Sequence, residues 1–111
     1  MRLFLTTILS LTAASSAFMF DGFSEENCGG TMQGGINVYD GSCAEWIAPL
    51  KSFRFTVHGG NHQAAYFFRD NHCGNLNNVA IKNWVDGGTS WQIGACYNVG
   101  GTADAVASYN G

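Results

Sequence analysis

Phe23-Ser24-Glu25-Glu26-Asn27-Cys28-Gly29 and Phe68-Arg69-Asp70-Asn71-His72-Cys73-Gly74 are one heptapeptide written twice. Each copy runs aromatic, four polar residues, cysteine, glycine, with acid or amide at the third and fourth places. A second pair of segments follows at a distance. Cys43-Ala44-Glu45-Trp46 leads to Ser52-Phe53, and Cys96-Tyr97-Asn98-Val99 leads to Ser108-Tyr109. Each copy therefore reads aromatic, turn, Cys-Gly, second cysteine, Ser-aromatic. A duplication of this size predicts two copies of one supersecondary unit packed together.

The residues before the first copy read as a leader. Met1-Arg2 is a positive start, residues 3–14 are mostly apolar, and Ser15-Ser16-Ala17 supplies small residues for cleavage. This is the pattern of a secretory signal peptide covering residues 1–17. A membrane anchor needs roughly 20 apolar residues, which the run does not reach. Residues 18–111 then form a single domain. All four cysteines fall in it, and an even count in a short secreted chain predicts two disulfides. No Cys-x-x-Cys pair is present, which argues against zinc. Eight acids outnumber five bases, and the bases are scattered. That balance argues against a nucleic-acid partner and against simple attraction to anionic lipid. Aromatics make up 14% of the chain, enough apolar bulk for a small core.

Helix signals are scarce. Fifteen glycines are scattered along the chain, and no clean 3.6-residue apolar stripe carries caps. Short strands between Gly, Asn and Asp turns fit better. Residues 52–58 are the clearest, with Phe53, Phe55 and Val57 on one face and Arg54, Thr56 and His58 on the other. Gly59-Gly60-Asn61 is a turn, and residues 63–68 resume extended structure. Further strands are expected over residues 18–23, 35–39, 79–85, 91–97 and 105–109, with a turn at Val99-Gly100-Gly101. The pattern predicts an all-β fold, eight short strands in a two-sheet sandwich.

With its repeats in place, the chain resembles the βγ-crystallin Greek key. That unit carries an aromatic, a folded hairpin, a glycine after it, and a serine in its last strand. The hairpin signature is met over residues 67–74 and 23–30 at the first aromatic and the glycine. The resemblance covers the mature chain, as motif one over residues 18–58 and motif two over residues 63–111. More narrowly, the chain is similar to small secreted fungal proteins of crystallin-like build, which include yeast killer toxins and candidate effectors. The resemblance implies a turn role for Gly29, Gly30 and Gly74, since a positive φ excludes a side chain. Ser52 and Ser108 would tie their strand ends to neighbouring loops. The family's calcium stretch has two Asn/Asp residues before its serines. Residues 47–52 offer no such ligand and residues 103–108 only Asp104, so no calcium site is expected. Four cysteines permit three pairings. The repeat favours Cys28 with Cys43 and Cys73 with Cys96, each stapling one motif. Cys28 with Cys73 and Cys43 with Cys96 is the alternative.

Few residues suggest chemistry. His58, His62 and His72 cluster mid-chain, but Gly59-Gly60 separates the first two, and exposed or hydrogen-bonded histidine is the plainer reading. Glu25, Glu26, Asp40 and Asp70 sit in turns, where solvated acids are ordinary. A glycosidase needs two opposed carboxylates in a cleft, for which a chain this small has little room. His58, Glu45 and Arg54 are the candidates for a ribonuclease site, without recognisable context. Trp46, Trp84 and Trp91 are either core or a surface for sugars or proteins. Trp84 precedes the Asp86-Gly87-Gly88 turn and is the candidate exposed binding residue. The expectation is a secreted, non-enzymatic binding protein without a cofactor or metal. It would be effector- or killer-toxin-like, acting outside the cell on a protein, glycan or membrane target. A secreted protease inhibitor using residues 99–104 or 71–78, or a structural wall-associated protein, is the alternative.

Overall fold

The computed structural model describes residues 16–88 and 90–110. The leader expected over residues 1–17 lies outside them, save Ser16 and Ala17. Eight strands follow in order: β1 Ala17–Phe23, β2 Met32–Tyr39, β3 Cys43–Ala44, β4 Leu50–Val57, β5 Gln63–Phe68, β6 Val79–Trp84, β7 Cys96–Ala103 and β8 Ala105–Asn110. Two 3₁₀ turns, Glu26–Cys28 and Leu76–Asn78, precede β2 and β6. The strands form two four-stranded sheets, ordered β2-β1-β4-β7 and β3-β8-β5-β6, and every pairing is antiparallel.

The period-two alternation explains which side chains meet. Phe18 and Phe20 of β1, Phe53 and Phe55 of β4, and Ala65 and Phe67 of β5 point inward and are buried. Phe53 and Phe67 stack across the two sheets with ring centroids 4.1 Å apart, and Phe20 meets Phe67 edge-on at 5.4 Å. Full burial of each such ring stabilises by roughly 1.5–3 kcal/mol. Val57 does not join this face. It lies at the strand end and is exposed.

Two elements differ from the sequence expectation. Residues 91–95 are not strand, and β7 begins at Cys96. The Gln92 amide side chain donates to the carbonyls of Gly88 and Ser90 and holds a turn there. Trp91 drops from that turn into the core, 5.0 Å from Phe53 and 5.5 Å from Phe55. Gly100 and Gly101 make no turn but a bulge inside β7, where the register jumps between Leu50–Ala103 and Ser52–Asn98. Gly101 has φ +121°, and a Cβ there would stand 2.7 Å from an Arg69 guanidinium nitrogen.

The strand order also overturns both disulfide expectations. The third strand of each half leaves its own sheet. β3 pairs with β8, and β7 pairs with β4. Each carries its cysteine to the hairpin of the other half. The bridges are therefore Cys28–Cys96 and Cys43–Cys73, and no free cysteine remains. This third pairing keeps the repeat's symmetry, because exchanging the halves turns one bridge into the other. Bridging Cys28 to Cys43 would require β3 to stay in the first sheet.

Candidate functional site

The first hairpin is a built corner. Its 3₁₀ turn puts Asn27 and Cys28 at φ 59° and 58°, a region that costs a non-glycine residue about 1 kcal/mol or more. Asn27 is held by reciprocal bonds. Its N–H donates to Asn98 Oδ1 at 2.8 Å, and Asn98 Nδ2 donates to Asn27 Oδ1 at 3.1 Å. The Cys28 N–H donates to Ser52 Oγ at 2.8 Å, and Ser52 Oγ donates to the Glu25 carbonyl at 2.6 Å. Ser52 is fully buried, so these are its partners in place of water. Gly30 has φ +76°, and a Cβ there would collide with Ser24 Oγ. Gly74 has open space and does not need to be glycine on this ground, whereas a Cβ at Gly29, extended at φ −104°, would stand a tight 3.3 Å from the Glu26 carbonyl oxygen.

Ser108 is not the counterpart of Ser52. Phe23 pairs with Ser52, whereas Phe68 pairs with Ala105, and Ser108 sits three residues on, opposite Ala65. Its buried hydroxyl accepts from Gln63 Nε2 at 2.7 Å, and Gln63 Oε1 in turn accepts the Gly60 N–H at 2.7 Å. That chain fixes the link between the halves rather than a hairpin.

The residues with chemical potential are dispersed. Arg54 faces Asp21 at 3.7 Å and lies over the Phe23 ring, while Glu45 faces His72 at 3.7 Å. His58 packs instead against Gly87, so His58, Glu45 and Arg54 have separate surroundings. Among the described residues no group of three His, Cys, Asp or Glu is placed to hold a metal ion.

The outer face of the second sheet is different. Phe68, Ala105 and Ala107 make a second small apolar cluster there, with Tyr66 and Val79 against it and Cys73 above it. The loop carrying Cys73 covers one end, tied by the Cys43–Cys73 bridge and by Tyr109 Oη donating to the Cys73 carbonyl at 2.9 Å. The other end is open. Ala64 pairs with Trp84 on one side and Tyr109 on the other, so two large rings flank a methyl group in one row. The next row holds Lys82, Tyr66 and Ala107. Ala64, Tyr66, Lys82, Asn83 and Trp84 line an open groove of about 270 Å³. A second trough of about 330 Å³, reaching Leu76 and Val79, shares Tyr66 and Lys82. The Lys82 ammonium stands 5.3 Å from the Tyr66 ring centroid, and His62 meets Trp84 edge-on at 6.2 Å.

Of the three tryptophans, Trp91 is core, Trp84 is 40% exposed and Trp46 is 67% exposed. Trp84 is thus both exposed and part of a shaped surface. The sequence reading missed Trp46 as the most exposed, along with Tyr66 and Tyr109 as neighbours of the groove. Compared with known proteins, the chain matches no family model, no curated protein and no solved structure.

Proposed function

We propose that this chain is a secreted, non-catalytic binding protein of the effector or killer-toxin-like kind, acting outside the cell through the Trp84 face. The observation that carries the reading is the open groove, where Trp84 and Tyr66 stand beside a small Ala64 floor. Aromatic side chains with a polar end are the usual anchors of recognition surfaces. The groove residues offer stacking and hydrogen bonding, and no carboxylate lines it among the described residues. Two disulfides in a small all-β domain are compatible with an extracellular setting. The same proposal takes the architecture as two crystallin-like Greek keys, supported by the exchange of the third strands between sheets.

The test is surface binding and growth of intact fungal, bacterial and plant cells exposed to the labelled, oxidised protein. Wild type is expected to bind at least one cell type, and Trp84→Ala to bind at least tenfold less. No binding across the panel, or equal binding by the variant, refutes the reading. Hydrolysis of RNA or glycans by the pure protein would refute its non-catalytic part.

One observation favours a second reading as a protease inhibitor. Leu76 is 62% exposed on the loop that the Cys43–Cys73 bridge pins, a rigid apolar projection. Residues 99–103 are not available for that role, because they lie within β7. Inhibition of a secreted-protease panel that is lost in Leu76→Ala would support it.

A further inference from the structure

We infer that the Trp84 groove takes a neutral polysaccharide, lying against β6 and β5 with a sugar-ring face on Trp84 and its edge beside Tyr66. This rests on the reading of that face as the contact surface and names what it contacts. Row geometry comes first. Trp84 and Tyr109 each pair with Ala64, so they stand one strand to either side of it. At about 4.8 Å between strands, their backbones are about 10 Å apart. Tyr109 stays outside the groove lining, its ring edge-on to Tyr66 at 4.7 Å and its hydroxyl on the Cys73 carbonyl, so Trp84 over the Ala64 methyl is the open platform for a flat sugar ring.

The edges of the slot select the chemistry. A sugar ring has an apolar C–H face bordered by hydroxyls, so its recognition needs ring faces with hydrogen-bonding groups beside them. Asn83 spends its carbonyl oxygen on the Trp84 N–H at 2.9 Å, which leaves its NH₂ group to donate. Lys82 lies in the groove and has no acidic partner among the described residues. His62 stands at the edge of Trp84. A lipid surface would call for several bases, whereas Lys82 is the one Lys or Arg lining the groove among the described residues.

Charge decides between neutral and acidic sugars. The chain carries a formal net charge of −3, which repels a polyanion at long range. The local positive charge is Lys82 alone, already held against the Tyr66 ring. The groove's volume of about 270 Å³ lies just below that of ordinary small-molecule sites and is open to solvent. It suits one or two units of a longer chain.

The experiment is co-sedimentation of the full oxidised protein with insoluble chitin, β-1,3-glucan and cellulose, at 0.15 M and 1 M salt, with polygalacturonate beads as the acidic comparison. The variants are Trp84→Ala, Ala64→Leu, which fills the floor, and Trp46→Ala as an exposed tryptophan outside the groove. Wild type is expected on at least one neutral polymer, equally at both salt concentrations. Retention should fall at least tenfold in Trp84→Ala, melting near wild type, and in Ala64→Leu, and be unchanged in Trp46→Ala. Absence from every neutral polymer overturns the inference. So does retention that survives Trp84→Ala, or binding confined to polygalacturonate and lost at 1 M salt. If cells bind the protein in a Trp84-dependent way while the neutral polymers do not, the sugar assignment fails and the contact surface stands. If Trp84 matters in neither assay, both fall.

Discussion

Replacing Ser52 by alanine should weaken the fold more than its single lost oxygen suggests. The hydroxyl sits at zero exposure and serves two backbone groups of the first hairpin, the Cys28 N–H at 2.8 Å and the Glu25 carbonyl at 2.6 Å. Alanine fits the same space but leaves a donor and an acceptor unpaired. An orphaned buried polar group costs about 1–3 kcal/mol. Both bonds are only part-buried, so the lower half of that range applies to each. The sum is about 2–4 kcal/mol, a large share of the roughly 5–15 kcal/mol that holds a domain together. In a domain of this size each kcal/mol lowers Tm by about 4–8 °C. Urea denaturation of the oxidised Ser52→Ala protein should show this as a lower midpoint with unchanged slope. Amide exchange at Cys28 should quicken, because its left-handed backbone loses the acceptor that fixes it. A loss below about 0.5 kcal/mol, with Cys28 still protected, would refute the idea that this serine holds the hairpin.

Non-reducing peptide mapping should yield Cys28–Cys96 and Cys43–Cys73, with sequence separations of 68 and 30. On chain entropy the longer loop contributes about 4.4 kcal/mol and the shorter about 3.6 kcal/mol, so Cys28→Ala/Cys96→Ala should melt below Cys43→Ala/Cys73→Ala. Gly30→Ala should cost at least about 1 kcal/mol, since it meets both a positive φ and Ser24. Gly74→Ala should stay within about 0.5 kcal/mol of wild type, or gain slightly from a stiffer unfolded chain. Equal effects at the two glycines in thermal melts would contradict the distinction.

Much of the strand layout was legible because β-structure with one buried face writes itself as alternation. Residues 63–68 are extended as the sequence reads, and of the three residues read onto one face, Phe53 and Phe55 are buried and Val57 is exposed. Where alternation met another force it misled. Trp91 continued an apolar pattern but entered the core from a turn set by Gln92 side-chain bonds. Gly100-Gly101 looked like a turn because glycine marks turns and bulges alike. The exchange of β3 and β7 between sheets left no trace in local pattern, and with it went the disulfide pairing. The groove was hidden for the same reason. Ala64, Trp84 and Tyr109 become neighbours only through register across three strands. No spacing within one strand carries that. Ser52 and Ser108 both follow a cysteine in their repeat, but at different distances, and strand pairing sets Ala105 in the place equivalent to Ser52.

Each bridge has one cysteine before the Gly59-Gly60-Asn61-His62 link and one after it. A protease that cuts this link therefore severs the chain without separating its pieces. Both fragments remain sutured by two covalent ties, and each still lends a strand to the other's sheet. Such a nicked molecule would run as two bands only after reduction, and would keep its outer face while doing so. Survival among proteases then depends less on avoiding the first cut than on making it harmless.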